Sequence, residues 1–411
     1  MPPLQGGGGG HSRRLGFARP RLLLLDSPDD RRSLDGRRNG RVPDLPKATA
    51  VGESRGDRPC GPAPATALYS ARDRGGWSRA GVARSAVLRR AALLLLSVLL
   101  SSSLRGAEPR RAAAIERSAE LDRLLSRIAA EVVEEFAAKG LTAEGLSISV
   151  IDLGERSPGA ALSGGSHRGD VPYYPASVVK VFYLAHYEAE KEAGRLKDTP
   201  ELVRAVRDMI VVSSNDATGF VVDAITDTTS GPEIESARRW MKWMERRNAV
   251  NRFFFARGYR DLNANQKTFC EDAYGREQIF RDGGRNRNRM TPDAVARLFK
   301  EITGGEIVGP GGTQEMLGLL SRDITPEKPF DDLELEDARL AGMKLPAGAR
   351  LWSKSGDAYD YHHLVARAVL PNGADFVVAA FTRGVRTVPE VIPRIYEKVG
   401  AHFAAAAASA R

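Results

Sequence analysis

Apolar residues recur at three- and four-residue steps from Leu121 through Leu125, Ile128 and Val132 to Phe136, the stripe of an amphipathic helix that buries one face. Further on, LSISVIDL (146–153) alternates apolar and polar positions and predicts a half-buried strand. A helix is expected to start around Ser177, and helical patterns then dominate to about residue 345. Strand signals return in ARLWSKSGD (349–357), HLVARAVL (363–370) and ADFVVAAFTRG (374–384). The last two flank Pro371-Asn372-Gly373, and an Asn-Gly pair between apolar runs is a hairpin signal. A final helix is expected from about Pro389 to Phe403.

This order predicts an α/β (α+β) fold with one antiparallel sheet assembled from both ends of the domain. The terminal helices would flank the sheet and the helical block would form an inserted all-helical lobe. A cleft between two such lobes is a usual place for an active site.

Upstream of residue 112 the pattern changes character. Residues 1–83 are rich in Gly, Pro, Arg and Ser, with the run Gly6 to Gly10, and cannot bury enough apolar surface to offset chain entropy. They are expected to be disordered. Residues 84–107 place Arg84, Arg89 and Arg90 before an apolar run from Ala91 to Leu100 and then small residues, the build of an export signal peptide. A short membrane anchor is the competing reading. Signals stand at a chain's beginning, so an over-extended gene start, with the true one near Val82, accounts for the position. N-terminal sequencing of the native protein tests this, and a product beginning at Met1 refutes it. Export implies a periplasmic or secreted location.

The formal charge of +9 suggests a nucleic-acid or membrane partner until its distribution is considered. Residues 1–111 hold 21 Lys and Arg against 9 Asp and Glu, whereas residues 112–411 hold 40 against 43. The body of the protein, 112–411, therefore carries no basic excess, and a nucleic-acid partner is not expected. Contact with a membrane would need an uncleaved signal. The two cysteines, Cys60 and Cys270, cannot build a disulfide framework or a thiolate zinc site. His362-His363 lacks any accompanying ligand pattern, so no metal or cofactor is expected. The histidines are expected near the substrate pocket or half exposed. Trp240, Met241, Trp243 and Met244 read as lobe core, and the Arg-rich stretch 281–289 as a solvated loop. A monomer is expected.

Three short stretches hold candidate chemistry. In YYPASVVKVF (173–182), Lys180 lies one helical turn beyond Ser177, so its amine can reach the serine hydroxyl. An amine accepts that proton only when neutral, a state favoured by burial or cationic neighbours. MIVVSSNDAT (209–218) puts Ser213 and Asn215 at a helix–loop junction, and WSKSGD (352–357) puts Lys354, Ser355 and Gly356 on a strand. A glycine there lets another backbone or a substrate approach closely. Alone, each stretch reads as readily as a helix cap, a helix stop or an edge-strand charge.

Together, Ser-x-x-Lys, Ser-x-Asn and Lys-Ser-Gly in this order resemble the signature of serine β-lactamases and penicillin-binding proteins, class A β-lactamases above all. The helix start in MTPDAVARLF (290–299) resembles the one that follows the Ω-loop in class A enzymes. The resemblance covers roughly residues 115–405. It implies a β-lactamase/transpeptidase-like fold and a serine hydrolase that opens a β-lactam by acylating Ser177. Lys180 would be the base, Ser213 a proton relay toward the leaving nitrogen, and Asn215 the holder of the acylamide side chain. Lys354 and Ser355 would bind the substrate carboxylate beside Gly356, and the backbone N–H groups of Ser177 and Asp357 would form the oxyanion hole.

The sequence departs from that pattern in two respects. The Lys180–Ser213 interval is short, the Asn215–Lys354 interval is long, and an extra basic helix stands around Arg238 to Arg247. Class A enzymes also use an Ω-loop glutamate to hydrolyse the acyl-enzyme. Aligning LNANQKTF (262–269) puts Gln266 there, which cannot act as a base, whereas counting back from Pro292 favours Glu277 or Glu271. A D,D-peptidase acting on peptidoglycan stem peptides, or a sensor that acylates without turnover, are thus alternatives.

Overall fold

The computed structural model describes residues 113–154, 160–270, 272–325 and 333–409. The segments 1–83 and 84–107, Cys60 and Glu271 lie outside the described residues. The strands are β1 (Ile115–Arg117), β2 (Leu146–Asp152), β3 (Leu162–His167), β4 (Ser321–Arg322), β5 (Arg350–Ala358), β6 (Tyr361–Val369) and β7 (Asp375–Arg383). They form one sheet in the order β1-β3-β2-β7-β6-β5-β4. Its halves come from the two ends of the domain, as expected, with Leu146 paired to Thr382 at the join.

Helix α1 (Ala119–Phe136) precedes the sheet's centre in sequence. Between β3 and β4 the chain forms α2 (Val179–Glu192), α3 (Pro200–Val211), α4 (Asn215–Thr226), α5 (Ala237–Arg247), α6 (Ala249–Ala256), α7 (Gly275–Arg281), α8 (Pro292–Thr303) and α9 (Pro310–Leu320). Helices α10 (Leu333–Gly342) and α11 (Val391–Ser409) complete the domain. No helix among the described residues is long and apolar enough to cross a membrane.

Alternating side chains send each central strand into two separate cores. Ile148, Val150, Leu364, Ala366, Val378 and Ala380 pack with Leu125 and Val132 of α1 and Ile395 and Val399 of α11. Val365, Val377, Ala379 and Phe381 face the other way, onto Phe182 of α2 and Val295 and Phe299 of α8. Burial of a Leu, Val or Phe side chain stabilises the fold by roughly 1.5–3 kcal/mol.

This double cover corrects the expectation of a half-buried β2. Ser147 and Ser149 are buried as well, and Ser147 Oγ meets Tyr173 Oη at 3.0 Å, so the polar positions face a partner and not water. The sheet is also not wholly antiparallel, because the edge strand β1 runs parallel to β3. Strand β3, LSGGSH, shows no apolar run. Its Gly165 is needed because an added Cβ would sit 2.4 Å from Leu121 Cβ, so α1 lies flush on the strand.

Three smaller expectations change. Of the aromatic and methionine set on α5 only Trp243 is buried; Trp240 stacks on it at 5.3 Å while Met241 is exposed. Both His362 and His363 are buried, not half exposed. Within 281–289, Asn286 and Asn288 are buried and Arg287 packs on two tyrosines.

Candidate active site

Ser177 sits in the single 3-10 turn Ala176–Val178 that opens directly into α2, where it is half-buried and accessible. Ala176 takes a φ of +47°, a left-handed conformation uncommon for a residue with a Cβ. The run-in is fixed from three sides. Tyr173 exchanges backbone hydrogen bonds with Met290, of 2.8 and 3.0 Å. Beneath the turn, His363 Nδ1 accepts from the Thr382 N–H at 3.2 Å, so Nε2 carries the proton and donates to the Tyr174 carbonyl at 3.0 Å. Burial pushes the imidazole of His363 down to about 3, keeping it neutral. The third contact is Gly356 on β5. A Cβ there would lie 2.5 Å from the Pro175 carbonyl oxygen, 3.0 Å from Val178 N and 3.1 Å from Ser177 N.

Lys180, one helical turn after Ser177, is fully buried. Its Nζ lies 2.9 Å from Ser177 Oγ, 2.5 Å from the Ser213 carbonyl oxygen, 3.1 Å from Ser213 Oγ and 2.9 Å from Asn215 Oδ1. The Ser213 carbonyl and Asn215 Oδ1 can only accept. A neutral amine gives them its two N–H bonds and keeps its lone pair for the Ser177 hydroxyl. Ser213 lies between α3 and α4 with a φ of +57°, and Ser214 caps α4, which presents Asn215 in its first turn.

From β5 the fully buried Lys354 donates to Ser213 Oγ at 2.9 Å and to the Ser355 carbonyl at 3.0 Å. Ser213 Oγ therefore joins the two lysines. Ser355 is buried, whereas Asp357 is exposed and its carboxylate pairs with Arg386 at 2.5 Å. The structure thus brings together Ser177, Lys180, Ser213, Asn215, Lys354 and Gly356 from three separate stretches of chain.

Gln266 and Glu277 lie apart from this hydrogen-bonded group. Gln266 is buried, its backbone N–H donates to Asn288 Oδ1 at 2.9 Å, and its carbonyl accepts from Tyr183 Oη at 2.7 Å and Asn288 Nδ2 at 3.0 Å. Its side-chain amide donates to Asn265 Oδ1 at 3.2 Å. Glu277, wholly buried on α7, forms a bidentate pair with the equally buried Arg247, at 2.9 and 2.8 Å, and accepts from Ser230 Oγ at 2.8 Å. Arg247 also holds Asp223 at 2.9 Å, and Lys267 reaches the other Asp223 oxygen at 2.5 Å. Burial raises the Asp223 carboxyl in spite of these cations. Both Glu277 oxygens are committed to this scaffold, which braces the 262–269 loop.

His363 lies beneath the Ser177 turn, beside the candidate site, which was one of the two places expected for it; its partners become visible only once β6 and β7 pair. The part missed from sequence is the asparagine set around Gln266, in which Asn251 Nδ2 donates to Asn263 Oδ1 at 2.8 Å and Asn265 Nδ2 to Asn286 Oδ1 at 3.2 Å. The spacing in LNAN and NRN was the available signal.

Residues 131–403 match the Beta-lactamase enzyme family. No curated protein matches the chain. Among solved structures, PBP-A is similar at 17% identity, with 72% of this chain and 100% of that one covered and a TM-score of 0.48. A beta-lactamase from Sphaerobacter thermophilus is 20% identical over 68% of this chain and 98% of its own, with a TM-score of 0.47. The last common ancestor of Gram-negative bacteria beta-lactamase class A is 18% identical over 67% and 99%, with a TM-score of 0.47.

Proposed function

The chain belongs to the beta-lactamase enzyme family, and from that premise we propose that it opens β-lactams by acyl transfer to Ser177. The observation that carries this reading is Lys180, buried and within hydrogen-bond reach of Ser177 Oγ, Ser213 and Asn215 at once. Lys180 in its neutral form takes the hydroxyl proton as Ser177 Oγ bonds to the carbonyl carbon. The proton passes by way of Ser213 to the ring nitrogen as the carbon–nitrogen bond breaks. Gly356 lets β5 lie against the Ser177 turn, so the N–H groups of Ser177 and Asp357 are available to the developing oxyanion. Asn215 accepts from Lys180 with its oxygen, which leaves its amide N–H to hold the substrate's acylamide carbonyl. Lys354 supplies positive potential for the substrate carboxylate.

A persistent acyl-enzyme is the second reading, and Gln266 favours it. Glutamine cannot activate water as a base, and the neighbouring carboxylates, the buried Glu277 and the partly exposed Asp223, are tied to Arg247 and Lys267. Export through the 84–107 segment, to the periplasm or medium, is part of the same proposal. A chromogenic cephalosporin followed optically and by intact mass tests the reading. The wild-type protein is expected to give one covalent adduct per chain. Steady colour release means hydrolysis, and a single burst with a lasting adduct means slow release. An undiminished adduct on Ser177→Ala would overturn the assignment.

A further inference from the structure

One pocket is lined by Tyr174, Gln266, Lys267, Arg281, Arg287 and Tyr359 among others, although not by Ser177 itself. Tyr174 stands three residues before Ser177 and Tyr359 three residues after Gly356, so the pocket borders the acylation centre. Three cations line it, and two are already engaged. Lys267 is paired with Asp223 at 2.5 Å, and Arg281 lies 3.6 Å from Asp272, which also borders the pocket. Arg287 has no carboxylate partner among the described residues. Its guanidinium is instead held 4.1 Å from the Tyr174 ring and 4.8 Å from the Tyr359 ring, themselves 5.6 Å apart. Stacking fixes the plane of a guanidinium and leaves its edge of N–H donors for a planar anion. Tyr359 keeps a bulky ring in place at a φ of +58°, where glycine or asparagine would be the unstrained choice.

We propose that this pocket selects substrates bearing a carboxylate on the acyl side of the scissile amide, with Arg287 as the residue that recognises it. The inference rests on the acyl-transfer reading of Ser177 and names a substrate class for it.

Carbenicillin and benzylpenicillin form a matched pair, because they differ by one carboxylate on the acyl side chain. The second-order acylation rate for each, read by intact mass, gives a ratio that cancels any loss of folded protein. In Arg287→Gln the carbenicillin-to-benzylpenicillin ratio is expected to fall about tenfold from its wild-type value, the scale of one charge-assisted hydrogen bond. Arg287→Lys, which keeps charge without the stacked plane, is expected to give an intermediate ratio. A ratio that stays at the wild-type value while both rates fall together would make Arg287 a mere strap between loops and overturn the proposal. Absence of an adduct from either penicillin on the wild-type protein would overturn the acyl-transfer reading, and this inference with it.

Discussion

Replacing Gly356 with alanine inserts one methyl group between β5 and the turn that carries Ser177. The three atoms it meets, Pro175 O at 2.5 Å, Val178 N at 3.0 Å and Ser177 N at 3.1 Å, all belong to backbone, so no side chain can swing aside. Reaching even a 3.0 Å contact with the Pro175 oxygen opens the gap by at least about 0.5 Å. Overpacking of this kind costs roughly 1–3 kcal/mol, which lowers the Tm by several degrees. The effect on chemistry should be larger. Misplacement by 1 Å costs about 100-fold, and losing an oxyanion donor costs about 100- to 1,000-fold. A gap of half that size at the same donors predicts roughly 10- to 100-fold slower acylation. Stopped-flow acylation with a chromogenic cephalosporin, alongside thermal unfolding, measures both. Gly311→Ala is the control, since a Cβ there meets nothing within 4 Å. If Gly356→Ala acylated within twofold of wild type at an unchanged Tm, the close approach of strand and turn would not be what aligns the site.

Gln266→Glu puts a carboxylate at the position that aligns with the Ω-loop glutamate, and release of the acyl group is expected to quicken by roughly 100- to 10,000-fold. Decay of the adduct mass measures this, and an unchanged lifetime refutes the placement of residue 266. Arg247→Ala leaves the buried Glu277 and its neighbour Asp223 short of their cation, at a cost of roughly 3–5 kcal/mol in denaturant unfolding; a loss under about 1 kcal/mol would contradict the bracing role. His363 stays neutral in the folded protein down to about 3, whereas an unfolded histidine titrates near 6.5. Unfolding therefore binds one more proton between those values, and this contribution to stability is complete above about 6.5. It falls by about 1.4 kcal/mol for each unit the pH drops through the window. In His363→Asn that slope should be absent, so the difference between wild type and variant should change by about 1.4 kcal/mol per pH unit across the window, and parallel profiles would refute it.

Much of the fold was legible because its central elements are strongly periodic. The stripe from Leu121 to Phe136 and the Asn372-Gly373 hairpin both form where expected. The polar face assigned to β2 was wrong for a specific reason: alternation reports two different faces, and here each meets its own core. Strand β3 escaped notice because close contact with α1 selects glycine, which carries no periodic signal. At the candidate site, Ser177, Lys180, Ser213, Asn215 and Lys354 were readable as motifs, since residues that must meet from one helix, turn or strand keep a fixed spacing along it. What surrounds Gln266 was not. Its setting depends on asparagines and ion pairs brought in from α5, α6 and α7, and no local pattern announces such partners.

The pairing of Leu146 with Thr382 also has a bearing on how the chain matures. As the polypeptide emerges from its N-terminal end, β2 can find β3 at once, but its other edge waits until nearly the whole domain has been made. During that interval an apolar strand edge stands open, which is the condition that invites aggregation and calls for chaperone cover. Lys354 and Gly356 arrive on the same late strands, whereas Ser177, Lys180 and Ser213 are made early. A truncated or half-folded chain would therefore carry Ser177 and Lys180 and lack the strand beside them. On the proposed acyl-transfer reading, competence to be acylated would arrive only with the closing of the sheet, so a covalent β-lactam label should report completed folding.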